Sequence, residues 1–161
     1  AASGWACSPD HAGAVVKRCQ RSHNECLAEV ELLGCLPKRP CVAPSPPDPC
    51  QFNISPCKSL PAGSACNIAC QEPYFGVNTR ATCPGDNVDA STAAVLESGW
   101  PNCTFRCPDP SVKIIGYQKA ADGSSWECAD THTGVARSVC SIKGLAQNCS
   151  VTPTNLTGCV P

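Results

Sequence analysis

The chain has 161 residues, of which 16 are cysteine, 16 proline and 12 glycine, and its formal net charge is −1. Leu, Ile, Val and Phe together number 28, too few for a large oily core, so a cross-linked small scaffold is expected instead. A large-core α/β enzyme and a coiled coil are excluded on this count. So is a membrane span in this chain, since no apolar run approaches ~18 residues. Twelve basic residues against 13 acidic ones, with no basic run, exclude a nucleic-acid binder.

In chain order, residues 3–19 read SGWACSPDHAGAVVKRC, and residues 124–140 read SSWECADTHTGVARSVC. Trp5, Cys7, His11, Gly13 and Cys19 match Trp126, Cys128, His132, Gly134 and Cys140 at one constant offset of 121. LLGCLP around Cys35 answers LTGCVP around Cys159 at offset 124. Residues 1–35 therefore read as the C-terminal part of a first repeat unit, and residues 107–161 as a half-unit that repeats 1–37. The chain lacks methionine and a signal-like apolar opening, so it is expected to be a processed or excised piece, a slice of a longer array.

Residues 22–34, SHNECLAEVELLG, carry a helix signal. Ser22 and Glu25 form a capping box, Leu27, Val30 and Leu33 share a stripe, and Gly34 is placed as a stop, which predicts one short helix near 23–33. Residues 36–50, LPKRPCVAPSPPDPC, hold six prolines in fifteen positions and read as a stiff, extended linker. Residues 51–106 form another half-unit, in which Cys70 to Gly76 repeats the spacing of Cys128 to Gly134 and of Cys7 to Gly13, with Tyr74 where His132 and His11 fall. Each half-unit reads as a strand, a glycine-bearing turn and a second strand, a hairpin too small to stand without staples. The predicted fold class is thus small, disulfide-rich and mostly β, with short hairpins and loops, one short helix, and a repeat array.

The segment from Cys57 to Cys103, with Tyr74 and Gly76 after its C-x3-C pair and Gly99-Trp100-Pro101 before its last cysteine, resembles a sushi (complement control protein) module. Residues 107–149 resemble it more loosely, with Gly116-Tyr117 displaced and Trp126 ahead of the second cysteine. The extra Cys66 and the long Cys83 to Cys103 loop have no place in that pattern. The resemblance implies first-to-third and second-to-fourth pairing: Cys57–Cys83, Cys70–Cys103, Cys107–Cys140 and Cys128–Cys149. Cys7 and Cys19 are further disulfide candidates. The pairing of Cys26, Cys35, Cys41, Cys50, Cys66 and Cys159 stays open, because spacing does not determine connectivity.

An even cysteine count suits full oxidation, and four N-x-[ST] sequons, at Asn53, Asn102, Asn148 and Asn155, exceed the single one expected by composition. Asn102 and Asn148 carry Cys at the middle position, which hinders glycosylation. Both signals predict a glycoprotein that is secreted, extracellular or at the cell surface, or else held in the lumen of a secretory organelle.

Candidate chemistry is sparse. Cys66-x3-Cys70 and Cys103-x3-Cys107 have a spacing that zinc allows, but the oxidising setting assigns them to disulfides. His11 and His132 align with Tyr74, which cannot replace a ligating imidazole, so a flat ring packed on a turn or disulfide is expected there, and His23 is expected on a helix surface. Trp5 and Trp126 flank cysteines and read as core; sugar stacking by these residues or Trp100 is the rival reading. Asp86, Asn87 and Asp89 are a sparse oxygen set for calcium and read as a solvated turn. Catalytic, cofactor and metal residues are all expected to be absent. The functional expectation is a non-enzymatic structural or assembly protein of the matrix or surface kind, a disulfide-stapled repeat scaffold for adhesion, polymerisation or bridging of a larger complex. Its partners would be proteins, self or other, with glycans also admitted. The alternative is a lectin- or inhibitor-like secreted module that binds protein or carbohydrate.

Overall fold

The computed structural model describes residues 4–21, 28–143 and 149–161. Contacts divide the chain into two compact units, one of Ala1–Pro46, Asn53–Ala69 and Asn78–Pro101, the other of Pro47–Phe52, Cys70–Val77 and Asn102–Pro161. Among the described residues the regular structure is short β-strands and one turn of 3-10 helix at Ser55–Cys57, with no α-helix.

In the first unit, Val16–Arg21 pairs antiparallel with Ala28–Leu33, from Val16 opposite Leu33 to Arg21 opposite Ala28. His11–Ala12 pairs with Leu36–Pro37, and the Cys7–Cys35 bridge clips the base of this hairpin. The predicted helix is corrected here: residues 28–33 are strand, while the capping box at Ser22 and Glu25 and the remainder of the segment lie outside the described residues. A stripe at helical spacing lost to a six-residue ladder with Val16–Arg21, where each residue gains a cross-strand neighbour. Gly34 does not cap a helix. It adopts φ +97°, and a Cβ there would lie 2.0 Å from the Ala14 carbonyl oxygen, just as one on Gly13 would lie 2.0 Å from the Gly34 carbonyl oxygen. Only two glycines let the two backbones touch at this crossing.

The rest of this unit is built on Ala65–Cys70, Thr79–Thr82 and Val95–Leu96, antiparallel in that order, with Ile68 opposite Thr79 and Ala81 opposite Leu96. Alternation turns Cys66 and Ile68 inward, together with Ala81. The proline-rich stretch is stitched to this unit along its length: Arg39 N–H donates to Asn87, Cys41 and Leu60 exchange both backbone hydrogen bonds, and Val42 N–H donates to Thr92. Prolines leave few donors in residues 36–46, and Lys38, Arg39, Cys41 and Val42 all spend theirs on backbone carbonyls.

The second unit contains four hairpin-like pairs: Tyr74–Phe75 with Thr104–Phe105, Tyr117–Lys119 with Trp126–Cys128, Thr133–Val139 with Asn155–Val160, and Ile142–Lys143 with Ser150–Val151. The longest ladder is irregular between Gly134 and Arg137. Gly134 and Gly158 meet there as Gly13 and Gly34 do, with φ +126° and +99° and hypothetical Cβ atoms 2.0 Å from the Gly158 and Val135 carbonyl oxygens. Thr154 Oγ1 donates to the Pro108 carbonyl, and Leu156 beside it is buried.

Cysteine replaces the missing aliphatics. Among the described residues twelve apolar ones are buried; five of them are Cys41, Cys50, Cys57, Cys66 and Cys83, and the large ones are Leu60, Ile68, Phe52 and Leu156. Bulky residues such as Val77 (85% exposed) and Ile115 (87% exposed) lie in solvent. The fold is held by covalent geometry more than by transfer of apolar surface.

Candidate functional site

Seven disulfides join described residues: Cys7–Cys35, Cys41–Cys83, Cys50–Cys149, Cys57–Cys66, Cys70–Cys103, Cys107–Cys140 and Cys128–Cys159. Cys70–Cys103 and Cys107–Cys140 are pairs that the sushi resemblance implied. The other two implied pairs are corrected: Cys57 takes Cys66 and leaves Cys83 to Cys41, and Cys128 takes Cys159 and leaves Cys149 to Cys50. The reason is local. Cys66 is the inward residue of the strand that follows the turn carrying Cys57, and Cys159 lies opposite Gly134 on the strand next to Cys128. Cys19, a disulfide candidate, is exposed and bonded to no described residue, and Cys26 lies outside the described residues.

Among the described residues, no group of His, Cys, Asp or Glu is placed to hold a metal ion. The four cysteines of zinc-like spacing are spent in three separate bridges. The Asp86–Asp89 loop is organised by its own backbone. Buried Asn87 donates through Nδ2 to the Arg39 and Asp89 carbonyls at 2.8 and 2.9 Å. Asp89 accepts from the Ser91 hydroxyl and N–H, which lower its pKa. His132 stacks on the Gly116 backbone, where a Cβ would come within 2.7 Å of its ring, and Tyr74 packs edge-on against Phe105 at 5.4 Å. His11 instead shares its Nδ1 with Ser8 and Asp10. His23 lies outside the described residues. Trp126 is half-buried beneath the Lys119 ammonium, 4.4 Å from the ring centre. Trp5 is corrected from core to surface at 56% exposed.

Two carboxylates organise turns. Asp122 accepts from the N–H groups of Ser125 and Ser124 and from the Ser125 hydroxyl, which hold its pKa far below the carboxylate range. Asp10 is lowered to about 2, first by the Ser8 hydroxyl and then by His11. Asn53, Asn102 and Asn155 are exposed, as a glycan would require, whereas Asn148 lies outside the described residues.

The second unit carries an open depression of about 720 Å³ lined by Tyr74, Phe75, Arg106, Asp109 and Lys119 among others. No sequence motif pointed to it, because its residues come from three separate hairpins. Its cations are already engaged: Arg106 donates to the Ser124 carbonyl and lies 5.9 Å from the Phe75 ring centre, and Lys119 pairs with Asp109 at 2.5 Å. What remains for a ligand is the half-exposed Phe75 ring and the edge of Tyr74. In the first unit a smaller depression of about 340 Å³ lies among Trp5, Val15, Leu32, Leu33 and Leu36. No candidate nucleophile with a paired base lines either surface.

No protein-family model, curated protein or solved structure matches this chain.

Proposed function

We propose that this chain is a non-enzymatic structural or assembly element, a disulfide-stapled repeat scaffold of a secreted, cell-surface or lumenal glycoprotein. The observation that carries the reading is the seven bridges among the described residues, five of whose cysteines stand in the core where aliphatic side chains are few. Such a chemistry persists in an oxidising compartment, and no described helix is long and apolar enough to cross a membrane. The matched positions of the Gly13/Gly34 and Gly134/Gly158 crossings, and of Cys7–Cys35 and Cys128–Cys159, support a tandem repeat. Repeats that contact chiefly their neighbours present long surfaces, which suits adhesion, polymerisation or bridging. The sushi-like reading of residues 57–103 keeps its second-to-fourth bridge only. Sedimentation of the oxidised, glycosylated protein should give multimers or a stable complex with a larger assembly. A strictly monomeric protein that saturates with a soluble ligand would overturn the proposal.

The depression at Tyr74, Phe75 and Arg106 favours the second reading, a lectin- or inhibitor-like module. Under that reading, glycans or peptides would shift the Tyr74 and Phe75 ring resonances.

A further inference from the structure

We propose that Cys19 and the Trp5–Cys7 edge form one docking site for a neighbouring half-unit, whose cysteine and following strand complete the first hairpin as Cys107 and Tyr117–Lys119 complete the second. The inference rests on the repeat reading above and names the partner surface within it.

The second hairpin displays what a completed site looks like. Cys140 is bonded to Cys107. Ten residues beyond Cys107, Tyr117–Lys119 pairs with Trp126–Cys128, placing Tyr117 opposite Cys128 and Lys119 opposite Trp126. Three side-chain contacts secure that strand: Gln118 donates to Glu127 at 2.8 Å, the Lys119 ammonium covers the Trp126 ring, and the Tyr117 hydroxyl accepts the Cys159 N–H at 3.3 Å. Gly116 makes room for the His132 ring.

The first hairpin has Trp5, Cys7, His11, Cys19 and Cys35 where the second has Trp126, Cys128, His132, Cys140 and Cys159, with Ala6 in place of Glu127, and among the described residues no strand uses them. Cys19 stands where Cys140 stands and is an exposed thiol with no described partner. Independently, Trp5–Cys7 stands where Trp126–Cys128 stands, yet it belongs to no ladder among the described residues. Trp5 is more exposed than buried, and the depression beside it is walled by Val15, Leu32, Leu33 and Leu36. Among the described residues, the Cys19 thiol and the extended Trp5–Cys7 segment thus lack the same two contacts that one segment supplies to the other copy. All other described cysteines are already in bridges. The occupant is therefore a segment of the Cys107–Lys119 design, a cysteine ten residues ahead of a three-residue strand, borne by another half-unit of the same kind. Bond formation is a thiol–disulfide exchange. The Cys19 thiolate attacks a disulfide already carried by the incoming cysteine, its new S–S bond forms as the old one breaks, and the displaced thiolate takes up the proton that Cys19 released.

The test uses the full oxidised chain and a synthetic peptide of residues 104–120, its cysteine capped as the glutathione mixed disulfide. Exchange should place the peptide on Cys19 with release of one glutathione. The equilibrium should favour it about tenfold over a scrambled peptide with cysteine at the same place, the scale of one buried apolar contact. Cys19→Ser should abolish the adduct, and Trp5→Ala should remove most of the preference over the scrambled sequence. The inference is overturned by equal reaction of both peptides, by an adduct confined to Cys140, or by peptide maps in which Cys19 is bridged to Cys26 or to Cys19 of a second copy. Any of these would leave the scaffold reading standing, whereas a monomeric ligand complex at the Phe75 depression would overturn that reading without touching Cys19.

Discussion

Replacing Cys41 and Cys83 together by alanine opens a bridge between residues 42 positions apart, both almost fully buried. Loop-closure entropy grows with the logarithm of loop length, and a loop of this size corresponds to about 4 kcal/mol near room temperature. The nested Cys57–Cys66 bridge, spanning 9 positions, shortens the free path by about a fifth and so trims only ~0.2 kcal/mol. For a unit of this size the loss corresponds to a fall in melting temperature of roughly 15–30 °C. The paired control is Cys57→Ala with Cys66→Ala, which by the same relation costs about 2.5 kcal/mol. Both pairs are buried, so the packing lost with the sulfur atoms is comparable and largely cancels between them. Guanidinium unfolding followed by circular dichroism reads both losses. A cost below about 1 kcal/mol for the longer bridge, or a reversed order, would refute the claim that closed loops rather than oily packing hold this unit.

The other expectations are local. Gly134→Ala meets the Gly158 carbonyl at 2.0 Å and should cost more than about 2 kcal/mol, whereas Gly123→Ala faces open space and should pay only about 1 kcal/mol for its positive φ; equal melting temperatures would contradict the crossing geometry. Tyr117→Phe removes the acceptor of the Cys159 N–H and should cost about 1 kcal/mol in thermal unfolding, with no change counting against that bond. Asp10 and Asp122 have folded pKa values below the unfolded ~3.9, so their stabilisation is complete above that pH and is lost as pH falls through the folded values, about 2 for Asp10 and lower for Asp122. Carboxyl-carbon NMR titration checks this, and an Asp122 midpoint near 4 would contradict the turn geometry. Glycosidase treatment of the secreted chain should remove mass at Asn53, which is exposed and whose side chain already turns toward Ser55; an unmodified Asn53 would count against the glycoprotein reading.

The strand-and-turn character was legible because glycines and cysteines act through backbone and covalent chemistry that survives any context. The Gly13 and Gly134 matches mark places where two main chains touch, a demand no other residue meets. The helix was misread because Val30 and Leu33 stand at helical spacing, which on a strand puts them on opposite faces, and only the facing strand of residues 16–21 decides for the strand. Cysteine partners were half legible. Cys70–Cys103 and Cys107–Cys140 follow the order of the resembled module, but Cys66, the extra cysteine, lies nearer to Cys57 and redirects it, which in turn releases Cys83 to Cys41. The Phe75 and Arg106 depression was invisible because hairpins far apart in sequence assemble it.

The Cys41–Cys83 bridge encloses the 57–66 bridge and most of a sheet. A protease that severs one peptide bond between its two ends yields no separate fragment, because both stumps remain tethered through sulfur. Material built from such rings wears by nicking long before it sheds pieces, a durability suited to surfaces bathed in hydrolases and beyond the reach of chaperones.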